Sequence, residues 1–131
     1  MSFRCPQCHS LAGLEILLSI ELPPDRQWDE ISLQVIGCSD CDFRGMAVYE
    51  ELVSGSEQES WHHIGYWVSQ DAVQSVLEAI RTCPNPSDRN CGCQAHGSLG
   101  ERDVNGLWRG LLELERGHTF SMRLQPGQAA D

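Results

Sequence analysis

Apolar and polar residues alternate along several short segments in the first half of the chain. The strict alternation over 31–35 predicts a half-buried strand. Branched and aromatic residues predict further strands at 14–22 and 43–53. Two consecutive prolines follow 14–22 and end that strand, because proline lacks the N–H that a strand ladder needs. The first third of the sequence therefore predicts short antiparallel strands joined as hairpins.

A helix is the main element predicted in the second half. Ser69 occupies an N-cap position, and two prolines beyond residue 82 prevent continuation, which predicts a helix over about 70–82. Strands are predicted before it at 61–68 and after it at 106–114 and 119–124, the last two as a closing hairpin. The residues of the helix that recur at i, i+3, i+4 and i+7, and are expected to pack on a core, are Val73, Val76, Leu77 and Ile80.

These elements predict an α+β protein, dominated by short antiparallel strands, with one principal helix. The small and polar residues of 54–60 predict a boundary between two subdomains. We expect an N-terminal β subdomain at 1–53, a C-terminal α/β subdomain at 61–124, and a flexible tail at 125–131.

Charge and hydropathy narrow the class of protein. The 131 residues include 19 acidic and 9 basic side chains, which gives a formal net charge of −10. Such acidity disfavours nucleic acid or an anionic membrane as the main partner, because both attract a basic surface. The longest apolar stretch, 11–22, carries two glutamates and is too short to cross a bilayer. The first residues contain no apolar run of the kind found in secretory signals, so we expect a cytoplasmic protein.

Seven cysteines are many for a chain of this length, and they fall into two groups. In a reducing compartment they are more typical of metal ligands or redox centres than of disulfides. Each CxxC pair of the first group forms a tight turn whose thiolates converge, and two such turns supply the four sulfurs of a tetrahedral ion. The first group therefore predicts one Zn²⁺ bound by Cys5, Cys8, Cys38 and Cys41.

The two pairs, CPQC and CSDC, resemble the knuckles of zinc ribbons and rubredoxin-like domains over residues 5–41. The resemblance implies an N-terminal zinc ribbon or, in the rubredoxin case, a single iron that transfers electrons. Rubredoxins carry a glycine after each second cysteine, which lets backbone amides approach the sulfurs. His9 and Asp42 stand at these positions, so we expect zinc rather than iron.

The second group combines three cysteines with a histidine in the pattern C-x7-C-x-C-x2-H. Three thiolates and one imidazole are the donors of a closed Cys3His zinc site, and a glycine permits the bend between the second and third cysteines. We expect a second Zn²⁺ at Cys83, Cys91, Cys93 and His96. Two alternatives are open: His62 or His63 replaces His96 as the fourth ligand, or the segment is a cysteine-rich loop with a free thiol and a disulfide.

The ligand sets indicate what the metals do. A catalytic zinc keeps one position open for water, whereas four protein ligands leave none. We therefore expect a non-enzymatic protein with two structural zinc ions that serves as an interaction or regulatory module for a protein partner. The alternatives are a redox protein (an iron electron carrier or a thiol and zinc switch) and a nucleic-acid-binding zinc ribbon. Apolar residues on both faces of 107–114 further predict that this hairpin is covered, either by a second copy in a homodimer or by the N-terminal ribbon.

Overall fold

The computed structural model describes residues 2–25, 28–52, 60–106, 108 and 118–122. Within these ranges the chain forms six strands and two helices. In chain order they are β1 (Ser2–Phe3), β2 (Leu14–Leu22), β3 (Glu30–Cys38), β4 (Arg44–Leu52), β5 (Ser60–Tyr66), α1 (Gln70–Thr82), α2 (Gln94–Leu99) and β6 (Thr119–Ser121).

The six strands form one antiparallel sheet in which spatial order follows chain order, from β1 to β6. A bulge between Ile16 and Leu18 interrupts the pairing of β2 with β3 and adds local twist. The rings of Phe3 in β1 and His63 in β5 lie 5.3 Å apart, although three strands separate them in the order of the sheet. The sheet therefore curls, and it has a helix face on the outside and an inner face.

The helix face carries the larger core. Leu33 at the centre of β3 is fully buried there, beside Met46 of β4 and Val73 of α1. The four apolar residues that predicted α1 are all buried. Ser69 is its N-cap, and its hydroxyl accepts a hydrogen bond from the amide of Ala72 at 3.1 Å. The helix thus forms where its sequence predicts and covers the sheet with its apolar stripe.

A second core occupies the inner face, at the end of the sheet where the CxxC pairs lie. Gly65 lets the ring of Phe120 cross closely over β5, since a Cβ on this glycine would lie 2.3 Å from the ring. The buried members of this inner core are Phe3, Cys5, Leu14, Ile36, Phe43, Ala47 and Met122. A cysteine of the first group is therefore part of the packed interior.

The structure confirms the antiparallel β-rich α+β class, the four strands predicted before α1, and α1 itself. Strand β1 and helix α2 were not predicted. Of the predicted closing hairpin, β6 lies within the predicted second strand, while most of 106–114 and the whole tail at 125–131 lie outside the described residues. β4 pairs with β5, so both predicted subdomains share one sheet, and the boundary between them stays a prediction.

Neither of the two described helices is long and apolar enough to cross a bilayer.

His63 on the inner face provides a pH-dependent prediction. Its Nε2 lies 2.6 Å from Oε1 of Gln34, and burial lowers the pKa of its imidazole to about 4. The unfolded chain has a histidine pKa of about 6.5, so the unfolded state binds more protons between these values. This contribution to stability is complete above about pH 6.5 and is lost as the pH falls through about 4.

We expect the NMR shifts of the His63 ring to remain those of a neutral imidazole in the folded protein down to about pH 5. The same ring in urea-unfolded protein is the control, and should titrate near pH 6.5. A titration of the folded protein with this same midpoint would contradict the prediction.

Candidate metal centres

The structure brings together the four cysteines of the first group. Their sulfurs all lie within 4.8 Å of one another. The Cys5 and Cys41 sulfurs are 3.7 Å apart, and those of Cys8 and Cys38 are 3.8 Å apart. A tetrahedral zinc with Zn–S bonds of about 2.3 Å requires sulfurs separated by about 3.8 Å. These four side chains, the first centre, can hold one tetrahedral ion.

Strand register explains how the first centre is assembled. Leu14 of β2 pairs with Phe3 on one side and with Cys38 on the other. β1 and β3 therefore flank the same end of β2, and the turn that follows β1 meets the turn that follows β3. Cys5 and Cys8 lie in the first of these turns. Long-range pairing thus places two local motifs side by side.

Nitrogen donors surround the sulfurs of the first centre. Three backbone amides and one side-chain amide point to the thiols at 3.3 to 3.5 Å. Hydrogen bonds of this kind stabilise the negative charge of a thiolate and orient it toward a metal. The donor and acceptor pairs are Gln7 N to Cys5, Gln7 Nε2 to Cys41, Asp40 N to Cys38 and Phe43 N to Cys41.

His9 takes the backbone conformation that a glycine would take at this position. Its φ is 65°, in the left-handed region, and its amide donates to the Cys5 carbonyl at 3.1 Å. Asp42 lies outside that region. Amides therefore approach the sulfurs although neither knuckle has the glycine, and the missing glycine is not an argument against iron.

A glycine at residue 9 should stabilise the protein. The left-handed conformation costs a residue with a Cβ about 1–2 kcal/mol, and the greater chain entropy of glycine offsets about 0.5–1 kcal/mol of that gain. We expect His9→Gly to raise the free energy of unfolding by about 0.5–1 kcal/mol, as measured by urea titration of metal-loaded protein. His9→Ala keeps the Cβ and is the matched control. Equal stabilisation by both variants would show that the imidazole, not the backbone, is responsible.

The second group also converges, and we refer to it as the second centre. Its four ligand atoms lie within 4.8 Å of one another. The Cys83 and Cys91 sulfurs are 3.9 Å apart, and Nδ1 of His96 is 3.2 Å from the Cys83 sulfur and 3.4 Å from the Cys93 sulfur. A tetrahedral zinc with sulfur and nitrogen ligands requires S–N separations of about 3.6 Å. The second centre can therefore also hold one ion.

The ends of the two helices position these ligands. Cys83 is the C-cap of α1, and Cys93 is the N-cap of α2. His96 lies three residues after Cys93, so both side chains share one side of the first turn of α2. The His96 amide donates to the Cys93 sulfur at 3.4 Å, and this hydrogen bond lowers the pKa of the thiol to about 6. Burial raises the pKa of the Cys83 thiol to about 11.

The orientation of the His96 ring favours one tautomer of the neutral imidazole. Its Nε2 lies 3.0 Å from the backbone carbonyl of Glu21, which can only accept a hydrogen bond. In the neutral ring Nε2 therefore carries the proton, and the lone pair of Nδ1 faces the sulfurs. Metal-binding histidines are commonly oriented by such a bond from the second ring nitrogen. Sequence patterns do not reveal this contact, because Glu21 lies in a distant strand.

His96, and not His62 or His63, lies with the three cysteines of the second centre. His62 packs against Trp28, with ring centroids 5.0 Å apart, and His63 is bound to Gln34. Neither belongs to the cluster, so the alternative in which one of them replaces His96 is wrong. All seven cysteines carry free thiols, so the loop with a disulfide is not what the structure shows.

Comparison of the chain with models of protein families, with curated proteins and with solved structures finds no match. The evidence for metal binding is therefore the geometry of the two centres.

Proposed function

We propose that this chain is a non-enzymatic zinc protein, in which two structural Zn²⁺ ions hold a rigid acidic surface for a protein partner. The observation that carries the proposal is the second centre, where three thiols and an Nδ1 lone pair meet at tetrahedral spacing. Sulfur and imidazole donors in this ratio are typical of structural zinc sites. Four protein ligands leave no position for a reacting water, which supports a structural role.

The charge of the metal-bound protein supports a basic partner. The formal net charge is −10 before metal binding. The negative charge of seven thiolates exceeds the positive charge of two zinc ions, so metal binding makes the net charge of the protein more negative. An acidic surface attracts a basic protein surface and repels phosphate. A gel-shift assay with nucleic acid at low salt is expected to show no shift.

An iron ion at the first centre is a second candidate. The described contacts are compatible with iron at the first centre but not at the second. Four nitrogen donors point to the sulfurs, and His9 takes the conformation of the rubredoxin glycine. Cys8 is exposed, so an electron could reach the centre from the surface. The second centre, with its imidazole ligand, lacks the four sulfurs that a rubredoxin iron requires.

Metal analysis of the protein purified without added metal distinguishes these possibilities. We expect a colourless protein with about two equivalents of zinc. Cys8→Ser and Cys91→Ser should each remove about one equivalent, one from each centre. A red protein with one equivalent of iron would show that the first centre is an electron carrier. A protein without zinc or iron, even after refolding with Zn²⁺, would overturn the proposal.

A further inference from the structure

The segment that carries the second centre lies against the outer edge of β2. The Glu21 amide donates to the carbonyl of Pro86 at 2.8 Å, and the Glu21 carbonyl accepts from His96 Nε2 at 3.0 Å. Both backbone groups of Glu21 therefore point away from β3. We refer to residues 83–96, which supply both contacts, as the strap.

Few side chains of the strap between Cys83 and Cys93 are buried against the rest of the protein. Residues 84, 85, 87–90 and 92 are exposed, and only Pro86 and Cys91 are half-buried. Arg89 adds one surface hydrogen bond to the carbonyl of Asp29, at 3.2 Å. Since so few side chains are buried, metal coordination at the second centre is the interaction that can hold this stretch in place.

Beneath the strap, the edge of β2 can pair with another strand. In the part of the chain that the structure describes, β1 pairs with β2 at Leu14 and Glu15, and the bulge follows directly. Beyond the bulge, the strap covers the edge at Glu21. An exposed strand edge offers unpaired N–H and C=O groups to another chain, and proteins commonly cover or bend such edges.

We propose that the metal of the second centre locks this edge, and that its loss lets two copies of the chain pair through β2. The inference rests on the proposed function, because a metal must occupy the second centre. Without the metal the strap detaches from Glu21. Among the described residues, no strand pairs with the outer edge from Leu18 to Leu22, which has a length typical of a short strand.

A second copy of the chain is the occupant that this edge fits. Antiparallel pairing of two β2 strands about Ile20 places Leu18 opposite Leu22 and Ser19 opposite Glu21 of the other copy. The apolar side chains then meet on the helix face, and the two Glu21 carboxylates are not directly opposed. Such a contact is symmetric and closes as a dimer.

The experiment compares Cys91→Ser with Cys8→Ser, which empties the first centre and leaves the strap intact. For Cys91→Ser we expect about one zinc fewer and twice the wild-type mass by light scattering. At a dilution where this variant is monomeric, its Glu21 amide should exchange at least about tenfold faster than in the wild-type protein, whereas pairing in the dimer protects the amide again. The Val35 amide in β3 should keep its exchange rate. Cys8→Ser should also lose one zinc, but keep the slow Glu21 amide and the wild-type mass.

A second substitution tests the edge itself. Ser19 lies two residues before Glu21, so its amide points to the same outer edge. Proline at this position lacks the N–H and is tolerated on edge strands. We expect Cys91→Ser combined with Ser19→Pro to have the wild-type mass. Because no second copy then covers the edge, its Glu21 amide should exchange fast at every protein concentration.

Failure of the metal-dependent lock and failure of the proposed function give different results. Loss of one zinc with an unchanged mass, or with an unchanged Glu21 amide in the monomeric double variant, overturns the lock and leaves the proposed function intact. A wild-type protein without metal at the second centre overturns the proposed function. If Cys91→Ser unfolds, so that Val35 also exchanges fast, wild-type protein is titrated with Zn²⁺ instead. In protein dilute enough to be monomeric, exchange of Glu21 should slow as free zinc rises while Val35 does not respond, and a zinc-independent Glu21 rate overturns the lock.

Discussion

Replacing Cys5 with serine is expected to remove about one equivalent of zinc and to lower the free energy of unfolding by more than about 4 kcal/mol. Cys5 is fully buried and packs in the inner core with Phe3 and Leu14. The substitution removes a metal ligand that ties the turn after β1 to the end of β3, and it buries a hydroxyl among apolar side chains. Metal analysis and urea unfolding measure the two effects.

Cys8→Ser is the matched control, because it removes a ligand of the same centre at an exposed position. Both variants should lose the same zinc, and Cys5→Ser should be less stable by a further amount of about 1–2 kcal/mol from the buried hydroxyl. Equal stability of the two variants would show that burial of Cys5 adds nothing. If both variants keep the stability and the zinc content of the wild-type protein, the first centre does not hold metal.

Local patterns were enough to predict the ligands of the first centre. Each CxxC turn is specified by residues that are adjacent in sequence, and the strands that flank it carry alternating or branched residues. What the sequence could not provide is the register. The pairing of Leu14 with both Phe3 and Cys38, which brings the two turns together, depends on strands far apart along the chain.

The second centre was harder to predict in detail, for a physical reason. Helix α2 has six residues, and its N-cap is Cys93, which is not one of the residue types that favour N-cap positions. The spacing favoured His96 over His62 and His63, but it could not reveal that the Glu21 carbonyl orients the His96 ring. A contact across 75 positions of the chain leaves no trace in local spacing.

Strand β3 shows how curvature overrides a local pattern. Strict alternation over 31–35 predicted a strand with one solvated face. That interpretation is wrong for the inner face, where Ser32 and Gln34 are only 6% and 7% exposed. Curling of the sheet buries them, and Gln34 Oε1 is 2.6 Å from His63 Nε2. Curling depends on contacts between distant strands, so alternation alone cannot predict it.

Leu33→Ala is expected to lower the free energy of unfolding by about 3–5 kcal/mol, because Leu33 is fully buried at the centre of β3 and truncation leaves a cavity. Leu17→Ala, at the bulge of β2, is the control. Its side chain is 44% exposed, and we expect a loss below about 1 kcal/mol. Urea unfolding of the metal-loaded variants measures both, and equal losses would contradict the burial of Leu33.

The same substitution should affect the two metal centres differently. Leu33 belongs to the core cluster that contains Cys83, with Cys91 and Cys93 packed against it, whereas Cys5 lies in the inner core. Because metal binding is coupled to folding of the surrounding structure, a cavity at Leu33 loosens the second centre first. A chelator should therefore remove zinc from the second centre of Leu33→Ala faster than from its first centre. Equally accelerated zinc removal from both centres would show that a cavity at Leu33 loosens both cores to the same extent.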